Sequence, residues 1–291
     1  MSRLPAFTTV LLLTLAGIGC DNSGVHRPLK ESGAIPQKGF RFIVAADPQL
    51  FRGQKKDLDN AIASINEFEP AFVVMCGDLI ETPSNQEQIM AYKESVSSLK
   101  PTIPLYNLPG NHDLGRPVAV QHIAAYQENF GPLWHHFMYD NTLFIILASD
   151  ILRDPDAPMH REHTQWLLNV LERFRDKPID HLFIFMHHPL YIHAPDEPDG
   201  YSNMPVEIRR TLLDLFVEHR VRAVFSGHLH WNRINTYQGM DLIITNSITV
   251  PIGEDADAAG FRIVEVHSDK YEHRYYEVPA DSSDPAMALR L

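Results

Sequence analysis

The chain has 291 residues, 44% hydrophobic and 21% charged, so it can bury a sizeable core as one large domain or two small ones. Its formal net charge of -12, with no run of five Lys or Arg, argues against nucleic-acid binding through a basic face.

The first twenty residues read as an export signal. Arg3 supplies a short positive segment, and the apolar run 6–18 is shorter than the roughly 18 residues of a membrane-spanning helix. Small residues Ala16, Gly17 and Gly19 precede Cys20. A cysteine at such a boundary resembles a bacterial lipobox, where it is lipidated and becomes the new N-terminus. Gly17 departs from that pattern, which usually places Leu or another aliphatic residue there. The expectation is an exported protein tethered through lipid on Cys20 to the extracytoplasmic face of a bacterial membrane, with plain secretion or an uncleaved anchor as alternatives. Lipidation of Cys20 would leave Cys76 without a disulfide partner, and Cys76 reads as a small buried hydrophobe in an apolar strand. Residues 21–38 are polar and punctuated by Gly24, Pro28, Gly33 and Pro36, which reads as a linker. The folded domain is expected over 39–279, with a tail over 280–291.

A strand at 41–46 ends on Asp47-Pro48-Gln49, where Pro48 lacks the donor a ladder needs. Leu58, Ala61, Ile62 and Ile65 make one helical stripe over 57–68. A second strand, 71–76, ends on Gly77-Asp78 and leads to Glu81. A helix near 86–99 precedes the strand 104–108, which runs into Gly110-Asn111-His112-Asp113. The segment 118–130 reads as helix, and the strand 143–147 ends at Ser149-Asp150. Trp166, Leu167, Val170, Leu171 and Phe174 mark another amphipathic helix, with Pro178 beyond its end. The strand 181–186 ends on His187-His188-Pro189 and is followed by a Pro- and Asp-rich loop, 194–205. After a helix carrying Ile208, Leu212, Leu215 and Phe216, the strand 222–225 ends on Gly227-His228-Leu229-His230. Strands at 242–245, 260–266 and 271–278 close the domain. Alternating strands and helices imply a largely parallel sheet covered on both faces, and the strand-rich end implies a second sheet or antiparallel additions.

Five strand ends thus carry groups suited to metal: Asp47 with Gln49, Asp78, Asn111 with His112, His187 with His188, and His228 with His230. In open α/β sheets ligands sit beyond the carboxyl ends of strands, so these residues should converge on one cleft. His228 and His230 both reach it if the backbone between them is extended and Leu229 points away.

Taken in order, these motifs resemble those of the calcineurin-like metallophosphoesterases: Asp-x-His, Gly-Asp, Gly-Asn-His-Asp/Glu, His, Gly-His-x-His. The match runs over about residues 40–278. One vertebrate subgroup also shares Ala46-Asp47-Pro48-Gln49, Cys76-Gly77-Asp78-Leu79-Ile80, Val224-Phe225-Ser226-Gly227-His228 and His273-Arg274-Tyr275-Tyr276. The resemblance implies an α/β fold, a four-layer αββα sandwich of two mixed β-sheets flanked by helices, around two divalent metal ions. One ion takes Asp47, Asp78 and His230, with Gln49 where most relatives place His. The other takes Asp78 as a bridge, with Asn111, His187 and His228. His112 is then the acid that protonates the leaving oxygen, oriented by Glu81 or Asp113, and Asn111 also meets the substrate. Arg233 is a candidate for phosphate because its planar fork binds such oxygens bidentately. His188 has no family counterpart and reads as a packed or loop histidine.

Two cations about 3.5–4 Å apart clamp both oxygens of an in-line displacement at phosphorus, and a water bound to them becomes hydroxide near neutral pH. Donors that are all nitrogen and oxygen admit Mn, Fe, Zn or Mg. No enzyme nucleophile is needed, in accord with the lack of a Gly-x-Ser-x-Gly motif. The expected function is metal-dependent hydrolysis of a phosphorylated substrate, a phosphomonoester and possible protein-phosphatase substrate by the subgroup resemblance. A phosphodiesterase and a non-catalytic metal- or phosphate-binding lipoprotein are the alternatives, and His112 argues against the last because a binding protein has no use for a leaving-group acid.

Overall fold

In the computed structural model, residues 39–50, 54–253 and 257–279 are described. Cys20, the expected signal and linker over 1–38 and the tail over 280–291 lie outside the described residues.

Eleven strands are described. In chain order these are β1 (Phe40–Ala45), β2 (Val73–Cys76), β3 (Leu105–Leu108), β4 (His135–Tyr139), β5 (Thr142–Ile146) and β6 (His181–Phe185). There follow β7 (Ala223–Ser226), β8 (Arg233–Tyr237), β9 (Met240–Ile244), β10 (Gly260–Val266) and β11 (Tyr271–Glu277). The continuous apolar runs among them, β2, β5, β6 and β7, are buried at every position. The helices are α1 (Lys55–Phe68), α2 (Gln86–Val96), α3 (Asn111–Leu114), α4 (Val120–Phe130), α5 (Ser149–Leu152), α6 (His160–Phe174) and α7 (Val206–Glu218). At the start of α2 the Asn85 side chain accepts the Gln88 N–H at 3.1 Å, satisfying one of the donors a helix leaves free.

The strands form two mixed sheets, ordered β11-β10-β1-β2-β3 and β4-β5-β6-β7-β9-β8. In the first, β1, β2 and β3 are parallel, β10 runs antiparallel to β1, and β11 pairs antiparallel to β10. In the second, β5, β6, β7 and β9 are parallel, with β4 and β8 as antiparallel edges.

Three apolar layers hold this together. Between the sheets lie Phe42, Val44, Phe72, Phe144, Phe183, Phe185 and Phe225. Phe42 stacks on Phe72 at 5.1 Å and meets Phe144 edge-on at 5.5 Å. Outside the first sheet, Leu58, Ile62 and Ile65 of α1, Tyr92 of α2 and Tyr126 of α4 cover the strands. Outside the second, Leu167 and Leu171 of α6 with Leu212 and Phe216 of α7 do the same. Burying each such side chain contributes about 1.5–3 kcal/mol. The result is helices, sheet, sheet, helices, the layered α/β sandwich expected.

Candidate metal centre

The strands β1, β2 and β3 of one sheet and β6 and β7 of the other hand the chain into turns that meet. These turns are forced. Asp47, Gln49, Asp78, His228 and His230 all have positive φ, from 40° to 72°. That region costs a non-glycine residue on the order of 1–3 kcal/mol and persists only where its surroundings dictate it. The expectation of an extended backbone through His228 and His230 is therefore corrected: both residues are left-handed, and buried Leu229 sits between them. Two glycines allow the close approach. A Cβ on Gly110 would run into Oδ1 of Asp78, and one on Gly227 into Oδ2 of Asp47.

Ligand atoms converge on His187. Its Nε2 lies 3.2 Å from Oδ2 of Asp78, 3.2 Å from Oδ1 of Asn111 and 3.0 Å from Nδ1 of His228. Two metal bonds of about 2.1 Å meeting at a right angle put their donor atoms about 3 Å apart. Asp78, His187 and His228 are all buried and form a cluster able to hold a metal ion. Beside it, Oδ1 of Asp47 is buried without a hydrogen-bond partner, 3.7 Å from Nδ1 of His187 and 3.8 Å from Nε2 of His230.

The outer nitrogens explain the orientation of these rings. Nδ1 of His187 faces the Cys76 carbonyl at 2.9 Å, Nε2 of His228 the Tyr201 carbonyl at 3.3 Å, and Nδ1 of His230 the Val250 carbonyl. A carbonyl only accepts, so each of those nitrogens carries the hydrogen and the inward nitrogen presents a lone pair. Nε2 of His187 and Nδ1 of His228 thus aim lone pairs at each other from 3.0 Å, an arrangement that requires a cation or a proton between them. The residues present fit a metal.

The electrostatics agree. Burial opposes charge on His187, but the Asp78 and Asp47 carboxylates outweigh it and lift its pKa to about 10. Burial and the charge on His187 press His228 down to about 3. Burial alone would raise Asp78, yet the His187 charge holds it low, and burial raises Asp47. At neutral pH the metal-free site therefore keeps one proton where a cation belongs. A metal ion must expel it, so apparent metal affinity should rise about tenfold per pH unit through the neutral range, below the His187 pKa of about 10. Calorimetric titration in two buffers of different ionisation enthalpy should show close to one proton released per chain at pH 7.5, with the ion that takes His187. Zero release would contradict the assignment of this proton.

His112 lies in the first turn of α3, with its backbone N–H donating to Oδ1 of Asp78 at 2.8 Å. Its Nδ1 is 2.8 Å from the Glu81 carbonyl and 3.5 Å from the Glu81 carboxylate, which leaves Nε2 without a hydrogen bond among the described residues. Asp113 does something else. It is buried, and its carboxylate accepts N–H groups from Leu79 at 3.0 Å, Ile80 at 3.2 Å and Gly110 at 2.8 Å. It pins the turn after β2 to the turn after β3 and makes no hydrogen bond to the His112 ring. Gln49 donates its backbone N–H to the Asp78 carbonyl at 2.9 Å, and its side-chain amide bonds to no described residue.

Arg233 opens the edge strand β8 opposite Ile244, with a buried Nε that lacks a partner, and no hydrogen bond or ion pair joins it to the ligand cluster among the described residues. Two other guanidiniums stand at the rim. Arg153 donates to the carbonyls of Gly200 at 2.9 Å, Tyr201 at 3.2 Å and Asn203 at 3.2 Å. Arg116 lies with its Cζ 4.3 Å from the Tyr201 ring centroid. Both act electrostatically on Asp150 and His188. His188 is buried behind the ligands, its ring 4.3 Å from that of His228 and its Nδ1 3.1 Å from Oγ of Ser149. Burial first, then the positive groups around it, among them His187, Arg153 and Arg116, push its pKa well below the ordinary imidazole value.

A family model described as calcineurin-like phosphoesterase matches residues 40–232. The chain is 33% identical over 266 residues to the cattle protein named serine/threonine-protein phosphatase CPPED1, covering 82% of this chain and 84% of the relative. Against the human protein of that name it is 31% identical over 265 residues, with 82% and 84% covered. A crystal structure of a dimetal phosphatase from Danio rerio superposes with a TM-score of 0.58 at 16% identity, covering 82% of this chain and 100% of the other. This last likeness bears on the fold alone. The relatives correct the expected location: they are eukaryotic CPPED1 phosphatases, which are not bacterial lipoproteins, so a lipid-anchored bacterial setting is not sustained. No helix among the described residues is long and apolar enough to cross a membrane.

Proposed function

Because this chain belongs to the calcineurin-like phosphoesterase family, and is thereby a metal-dependent hydrolase of phosphoester bonds, we propose that it removes phosphate from phosphomonoesters, phosphorylated protein side chains among them. The name carried by its CPPED1 relatives supports the last part. We assign two divalent ions to the site. One is held by Asp47, Asp78, His230 and the amide oxygen of Gln49, the other by Asp78, Asn111, His187 and His228. Such a pair supplies Lewis acidity toward the phosphate and lowers the pKa of a bound water.

The observation that carries this reading is the inward aim of the carbonyl-anchored rings, with donor atoms 3.0–3.2 Å apart around Nε2 of His187. Asp78 divides its labour: Oδ1 takes the His112 N–H while Oδ2 faces the ligand cluster. His112 gives the proton from Nε2 to the leaving oxygen, held to that task by the Glu81 carbonyl. Asp113 braces the two turns that present Asp78 and Asn111. Gln49 offers a neutral amide oxygen where most relatives place an imidazole, a weaker donor that suits harder cations.

The test is a substrate panel with metal-reconstituted protein: a phosphoserine peptide, p-nitrophenyl phosphate and the diester bis(p-nitrophenyl) phosphate. The expected result is turnover of both monoesters, loss of turnover after chelation, and a slower diester. A faster diester would replace the monoesterase with a phosphodiesterase. No turnover of any of the three with metal bound would overturn the catalytic reading.

A further inference from the structure

Arg116 follows the turn that carries Asn111 and His112 and lies exposed on the surface. Its guanidinium sits 4.3 Å from the centroid of the Tyr201 ring. Among the described residues it makes no hydrogen bond or ion pair, so a fork of five N–H donors is unused. Tyr201 in turn touches the centre three times. Its hydroxyl accepts from Nδ2 of Asn111 at 3.2 Å, its carbonyl accepts from Nε2 of His228 at 3.3 Å, and its ring centroid lies 4.9 Å from that of His228. One side chain thus separates Arg116 from two proposed ligands.

The loop that carries Tyr201 is tied down. Arg153 holds three of its carbonyls, as described above. Asn203 accepts the Gly200 N–H at 2.8 Å and donates to Glu197 at 2.6 Å. Buried Arg209 donates to the carbonyls of Pro195, Glu197 and Met204. The backbone at Tyr201 is therefore held in place, and the Arg116 guanidinium lies over the face of its half-exposed ring. Such stacking leaves the guanidinium edge open for a planar anion.

We propose that Arg116, stacked on Tyr201, is a specificity-determining residue that receives a second anionic group of the substrate, the carboxylate of an acidic residue flanking the phosphorylated one in a phosphopeptide. This rests on the monoesterase reading above. Asn111 and Arg116 both contact the Tyr201 side chain, which sets Arg116 beside the path of a residue flanking a phosphoserine seated at Asn111.

The experiment compares two phosphoserine peptides that differ only in carrying Glu or Gln beside the phosphoserine. For the native protein kcat/KM should favour the Glu peptide about fivefold, mostly through KM, and the preference should shrink as salt is raised. Arg116→Gln should bring the ratio to one, and Arg116→Lys should leave it between the two, since lysine keeps the charge and loses the fork. A native ratio of one, or a ratio that survives in Arg116→Gln, overturns the proposal. Fluorescence anisotropy with labelled forms of the same peptides reads the same ratio as Kd. A protein that turned over neither peptide would count against the hydrolase reading, while the Kd ratio would still decide the role of Arg116.

Discussion

Asp78→Asn loses metal and activity together. Asp78 is 1% exposed, and it is the one residue proposed to touch both ions. Asparagine preserves the shape and can still accept the His112 N–H through its oxygen. What disappears is the negative charge facing His187, and an amide nitrogen in place of Oδ2 repels a cation and offers it no lone pair. The remaining donors near Nε2 of His187 are the neutral Asn111 and His228. We expect metal content to fall below one ion per chain and kcat to fall by at least about a thousandfold, or about 4 kcal/mol of barrier. Elemental analysis beside the kinetics checks this, with a melting curve to show that the variant is folded. A folded Asp78→Asn protein with two ions and native turnover would remove Asp78 from the centre.

His112→Ala should separate what Asp78→Asn loses together. Its ring is anchored on Glu81, it lies at the rim, and no role in holding metal is assigned to it. Metal content should stay native, while general-acid catalysis worth about 10²–10⁴-fold is lost. The loss should depend on the substrate. The p-nitrophenolate ion leaves without a proton and should feel the change little, whereas the serine alkoxide of a phosphopeptide needs one and should feel it fully. Equal losses on both substrates would point to a positional role for His112, and no loss on the phosphopeptide would end its assignment as the acid.

The parts of the fold that were legible in the sequence are those where burial writes a continuous apolar run. β2, β5, β6 and β7 are buried at every position and appear within about two residues of their true ends. The edge strands β4 and β8 were not legible. They pair on one side only, stay half-exposed, and spell His-His-Phe-Met-Tyr and Arg-Ile-Asn-Thr-Tyr. The single-turn helix α3 also escaped, because its first turn is closed by a carboxylate: Asp113 accepts the Gly110 N–H.

The same contrast runs through the site. His, Asp and Asn at strand ends could be read because the parallel topology forces strand ends together. Arg116, Arg153 and Tyr201 come from loops whose positions depend on contacts with distant carbonyls and rings, and no local spacing encodes those. Arg233 was suggested by its closeness in sequence to His230, and the start of the edge strand β8 at that residue had no signal in the sequence. The alternation argument for His228 and His230 assumed a strand where the backbone had already become left-handed.

The phenylalanine layer between the sheets acts as a gauge block. Asp47, Asp78 and Asn111 hang from one sheet, while His187, His228 and His230 hang from the other. Their mutual spacing is inherited from how far apart the two sheets are held, ordinarily about 10 Å. Phe42 fixes that separation through rings of the facing sheet, at 5.5 Å from Phe144 and 6.0 Å from each of Phe185 and Phe225. Metal–ligand distances ordinarily hold to within about 0.2 Å, finer than the difference between a phenyl ring and a leucine. Accuracy at the cleft is therefore set by hydrocarbon with no chemistry of its own.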